Sequence, residues 1–104
     1  MPRVSFENPA QRAGNYLLHA RIDGRTVRCI ATRHVLVDCL GPAISAAGDD
    51  LVGAAQACRP TLEYAFRNKI LAGDFDRTDA PVVMLTHDNF FHWANCSGPD
   101  PPSR

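Results

Sequence analysis

Residues 15–32 read NYLLHARIDGRTVRCIAT, and the fold follows from how this stretch alternates. Asp23-Gly24 sits between two period-2 runs. A two-residue type I′ turn needs positive φ at both central positions, and Asp-Gly adopts them at little steric cost, so the stretch predicts a β-hairpin. With that loop length Ile22 faces Arg25, Ala20 faces Val27, Leu18 faces Cys29 and Tyr16 faces Ala31. Tyr16, Leu18, Ala20, Ile22, Val27, Cys29 and Ala31 then share one apolar face, while Leu17, His19, Arg21, Thr26, Arg28 and Ile30 share the other. A one-residue slip would carry His19, Arg21 and Arg28 into the core, which pins the register. A lone hairpin is marginal in water, so the rest of the chain must cover the apolar face.

The cover is legible downstream. Thr32 is placed to cap a helix from Arg33 to Leu40, with Val35, Leu36, Cys39 and Leu40 at helical spacing and Gly41-Pro42 as its stop. After a small-residue connection at 41–49, Asp49 or Asp50 caps a longer helix over about 50–72, ended by Gly73. Leu51, Ala55, Cys58, Leu62, Phe66 and Ile70 form its apolar stripe, with Arg59, Glu63 and Arg67 as a charge ladder alongside. Pro60 interrupts it: in a helix interior it costs about 3 kcal/mol, so a bend or a restart near Arg59 is expected. PVVMLT (81–86) reads as a buried strand with Pro at its first position. A final helical turn over about 88–94, capped by Thr86 or Asp88, carries Phe90, Phe91 and Trp93 as a plug for the end of the core.

Upstream, Val4–Phe6 is a short β-prone patch, and NPAQRAG (8–14) has the chemistry of a loop. The order predicts an α+β domain: a small antiparallel sheet, built from the hairpin and one or two further strands, covered on one face by a short and a long helix. Residues 1–96 form one domain, and the Pro-rich tail 97–104 is expected to be disordered.

With 45% apolar and 21% charged residues the 104-residue chain has the composition of a globular domain with a modest core. Net charge is zero, which argues against a dedicated nucleic-acid binder. No apolar run is long enough to span a membrane, and the first residues lack the apolar core of a secretory signal. The four cysteines (Cys29, Cys39, Cys58, Cys96) are therefore expected as reduced thiols in a cytoplasmic protein.

VSFENP at 4–9, VRCIAT running into HVLVDCL, RPTLEYAFRNKILAG at 59–73 and VVMLTHDNF at 82–90 together resemble a family of short uncharacterised bacterial proteins, domain-of-unknown-function family 1488. In its pattern the first helix follows a Ser or Thr and carries a Leu and an Asp, matched by Thr32, Leu36 and Asp38. Its long helix is matched at Arg59, Leu62, Lys69 and Ile70, and Pro60 departs from an uninterrupted helix. The resemblance spans roughly residues 4–91, implies a small α+β fold and brings no activity with it.

Several clusters invite a chemical reading. His87, His92 and Cys96 are metal-ligand types, but on one helix His87 and His92 stand about 140° apart, and no pair has zinc-site spacing. Cys29, His34 and Cys39 share that defect, so neither metal nor cofactor is expected. His87-Asp88 has the spacing of a helix cap, and His34 and Asp38 are placed to pair on the first helix. No nucleophile motif or phosphate loop is present, so no catalytic residue is assigned. The hairpin's outer face is the candidate binding surface: Leu17, His19, Arg21, Arg28 and Ile30, with Arg25 nearby. Arginine forks suit carboxylate or phosphate, while Leu17 and Ile30 add the apolar area of a protein interface. The expected role is a non-enzymatic protein-binding or homodimerising module; the alternative is weak nucleic-acid or phosphate-ligand binding through the same basic face.

Overall fold

The computed structural model describes residues 4–41, 50–73, 75 and 81–95. Among the described residues four strands and four short-to-medium helices are formed: β1 (Val4–Arg12), β2 (Asn15–Ile22), β3 (Arg25–Ala31), α1 (Arg33–Leu40), α2 (Leu51–Ala55), a 3₁₀ turn (Gln56–Cys58), α3 (Arg59–Leu71), β4 (Val82–Leu85) and α4 (Phe90–Ala94). The α+β class and the hairpin are as the sequence predicts, pair for pair from Tyr16↔Ala31 to Ile22↔Arg25. Asp23 and Gly24 both have positive φ, at 52° and 80°.

The sheet runs β1-β2-β3-β4, with β4 parallel to β3 and the other pairs antiparallel. Arg33 to Leu71 lies between β3 and β4 in the chain, and a crossover of that length is what lets a strand return in parallel.

β1 extends well past the expected Val4–Phe6. It continues to Arg12 and closes a second hairpin on β2, with Ala13 and Gly14 as the two loop residues at φ 53° and 81°. NPAQR is strand and not loop because the register shifts between Glu7 and Ala10, so that Asn8 and Pro9 oppose Leu18 alone. This is a β-bulge. Asn8 takes its positive φ of 56°, which Asn tolerates better than most residues. Pro9 sits on an edge strand, where a missing N–H breaks no ladder.

The helices cover one face. The predicted stripe of Leu51, Ala55, Cys58, Leu62, Phe66 and Ile70 is buried throughout, against Tyr16, Leu18, Ala20, Val27, Cys29 and Ala31 of the hairpin and Val83 and Leu85 of β4. Phe6 reaches the same core, its ring 6.3 Å from that of Phe66. Pro60 is the second residue of α3, after a 3₁₀ turn whose last residue, Cys58, has left helical geometry at φ −119° and ψ 12°. The helix restarts, and the donor Pro60 lacks is one that an N-terminal turn leaves unpaired anyway.

Asp50 accepts from the backbone N–H of Gly53 at 2.9 Å and caps α2. The buried Asn68 donates from Nδ2 to the carbonyl of Trp93 at 2.9 Å, which docks α4 on α3. Phe90 and Trp93 plug the core as expected, but Phe91 turns outward and is 52% exposed. The turn before α4 is held by Asn89, whose Oδ1 accepts from Thr86 N–H at 2.8 Å and whose Nδ2 donates to the Met84 carbonyl at 3.1 Å. The small-residue connection at 42–49 and the tail at 97–104 lie outside the described residues.

Candidate functional site

Strand register organises the sheet's outer face into rows. Ala10 pairs with Leu17, Leu17 with Ile30, and Ile30 with Met84, so one apolar side chain from each of the four strands stands in a single line across the sheet. The next row is Glu7, His19, Arg28 and Val82, and beyond it come Ser5, Arg21 and Thr26. On the other flank of the apolar line Arg12 pairs with Asn15. Leu17, Ile30 and Met84 are half-buried, Ala10 is exposed, and no described helix lies over them.

Five of the six residues expected at the binding surface come together here: Leu17, His19, Arg21, Arg28 and Ile30. Arg25 does not join them. It pairs with Ile22 on the helix side of the sheet and lines a separate hollow of about 300 Å³ with Val27, Ile70 and Phe75.

The centre of the outer face is concave. An open depression of about 470 Å³ has Leu17 and Ile30 in its lining, Arg12 and Asn15 on one flank, and His19 and Arg28 on the other. The place of Arg12, Ala10 and Met84 on this face is not legible from local pattern, because it depends on β1 continuing past Glu7 and on β4 joining β3. The signal available was Ala13-Gly14, a two-residue gap between alternating runs.

Electrostatically the face is lopsided. Its carboxylate, Glu7, leans toward Arg21 at 3.9 Å with both side chains largely in water, a contact of little energetic weight. Among the described residues the guanidinium groups of Arg12 and Arg28 have no ion-pair or hydrogen-bond partner. His19 Nδ1 is buried and unpartnered.

The remaining candidates are otherwise engaged. Asp38 does not pair with His34; it meets His87 Nδ1 at 2.8 Å, across 49 residues of sequence. That hydrogen bond and the charge of Asp38 raise the His87 pKa above its ordinary value. The ring of His92 packs edge-on against Trp93 with centroids 4.6 Å apart, and Cys96 lies outside the described residues. Among the described residues no three His, Cys, Asp or Glu side chains are gathered for a metal ion. Burial pushes the Cys29 thiol up to about 12. It does the same to Cys58, helped by the neighbouring Cys39 thiol, again to about 12. Arg59 meets Glu63 at 2.6 Å on α3, the expected i,i+4 pair.

No family model, curated protein or solved structure matches the chain, and its functional reading rests on its own residues.

Proposed function

We propose that the chain is a non-enzymatic protein-binding module that joins a partner protein, or a second copy of itself, through the outer face of the sheet. The observation that carries this reading is the line Ala10–Leu17–Ile30–Met84, one residue from every strand, on a face that no described helix covers. A contiguous apolar strip on a largely polar sheet face marks an interaction site far more often than scattered apolar residues do. Arginine beside an apolar centre is the composition of an interface. Burial pushes the Cys29 and Cys58 thiols up to about 12, which makes these two poor nucleophiles at neutral pH.

The competing reading, a phosphate ligand or nucleic acid held by Arg21, Arg25 and Arg28, loses Arg25 to the other side of the sheet. It would show as affinity falling steeply with added salt.

Sedimentation, together with affinity capture from cells, tests the proposal on the wild type and on Leu17→Asp, Ile30→Asp and Arg28→Glu. Thermal melts establish that each variant folds. The wild type is expected to dimerise or to retain a stoichiometric partner, and the variants to lose it. A wild-type monomer that retains nothing, or an association indifferent to all three substitutions, removes the proposal.

A further inference from the structure

We infer that the partner is an extended acidic segment of another protein, with a carboxylate, an apolar side chain and a second carboxylate at positions i, i+2 and i+4. This deepens the protein-binding reading and rests on it.

The spacing follows from the rows. Asn15, Leu17 and His19 stand two residues apart on β2, and their cross-strand partners Arg12, Ile30 and Arg28 mark the same three levels. The two arginine levels are therefore four residues apart, roughly 13 Å at about 3.3 Å per residue. An extended chain laid along the depression presents every second side chain to the sheet at that same interval. Its middle residue meets Leu17 and Ile30, and the outer two meet Arg12 and Arg28.

Charge selects the ends. Arg12 and Arg28 flank the depression with guanidinium groups that have no partner among the described residues, and the carboxylate of Glu7 already leans toward Arg21. A planar guanidinium fork matches a carboxylate well. A second copy of the same face would bring Arg12, Arg21 and Arg28 against their own kind with one Glu7 each to offset them, so a separate acidic segment complements it better.

A labelled peptide Ser-Glu-Ser-Leu-Ser-Glu-Ser, titrated with the full chain at low salt and followed by fluorescence anisotropy, tests this. Binding is expected, weakened about fivefold or more by Arg12→Glu, by Arg28→Glu, or by changing either peptide glutamate to Gln. Both arginines are exposed, and a thermal melt checks each fold. Pairing Arg28→Glu with a peptide whose glutamate is replaced by Lys is expected to restore affinity. Moving one glutamate by a single position, onto the far side of the extended chain, is expected to weaken binding as much as removing it. Absence of binding up to about 1 mM peptide, indifference to the position of the glutamates, or binding that survives both charge reversals overturns the inference. If the peptide fails while Leu17→Asp still dissolves a dimer or releases a captured partner, this inference falls and the protein-binding reading stands.

Discussion

Gln11 Oε1 accepts the backbone N–H of Leu51 at 2.8 Å and lies 3.4 Å from that of Val52, so an edge-strand side chain caps a helix forty residues further along the chain. Asp50 satisfies Gly53 of the same turn, and together they serve donors that a helix start leaves without intrahelical partners. The contact also fixes β1 against the helical layer at the end where the outer-face depression begins, since Gln11 and Arg12 both line it.

Replacing Gln11 by Ala removes the acceptor while Asp50 keeps its own. The expected cost is about 1 kcal/mol, the usual worth of an N-terminal cap. For a domain of this size that lowers the melting temperature by about 4–8 °C. Gln11→Met, which keeps the aliphatic body and lacks the oxygen, is expected to fall by nearly as much. A melting temperature unchanged in both variants would show that water serves Leu51 equally well.

The hairpin was fully legible because Asp23-Gly24 and the alternation on either side of it agree. Tyr16, Leu18, Ala20, Val27, Cys29 and Ala31 are all buried, while Arg21 and Arg28 are in water. The first hairpin was not legible, for two local reasons. Asn-Pro ordinarily marks a turn, and here it is a bulge; Ala13, a poor residue for positive φ, conceals the type I′ turn it makes with Gly14. The same two features hide one flank of the candidate site, since Ala10 and Arg12 reach the outer face only as strand residues. The pairing of β4 with β3 is tertiary information, and so is the contact between His87 and Asp38, for which local spacing offered His34 instead. Local pattern decided which face each hairpin residue takes; it did not decide which strand lies beside which.

Pro60 yields a test by sign. In an unbroken helix Pro60→Ala would recover a hydrogen bond and relieve a clash, stabilising the protein by about 3 kcal/mol. Here Pro60 is the second residue of a restarted helix. Its ring costs nothing there, and it restricts the unfolded chain. Pro60→Ala is therefore expected to destabilise by about 0.4–1 kcal/mol in urea unfolding, and a gain in stability of any size would contradict the restart.

The buried thiols should be silent in the native protein. With the Cys29 and Cys58 thiols both raised to about 12, little thiolate is present at pH 8, and burial blocks the reagent as well. Iodoacetamide treatment followed by peptide mass spectrometry is expected to leave both unmodified in buffer and to modify both in urea. Cys39, half-buried at the end of α1, is expected to react sooner than either. Rapid native labelling of Cys29 would mean that the hairpin and its helical cover separate easily.

The contact between His87 and Asp38 makes the seam between α1 and the turn before α4 sensitive to pH. The hydrogen bond to Asp38 and the carboxylate charge raise the His87 pKa in the folded protein, while the unfolded chain keeps the ordinary value of about 6.5. A group whose folded pKa is raised binds its proton more tightly when folded, so its stabilising contribution is complete below pH 6.5 and is lost as pH climbs through the folded value. His87 is exposed, so added salt weakens the effect. Imidazole proton shifts followed by NMR are expected to place the His87 midpoint above that of the same residue in Asp38→Asn, where the carboxylate charge is gone. The same substitution is expected to flatten the dependence of stability on pH above pH 6. An unchanged midpoint in Asp38→Asn would mean that the 2.8 Å contact does not persist in solution, and α4 would then be held to the domain by Asn68 and its aromatic side chains.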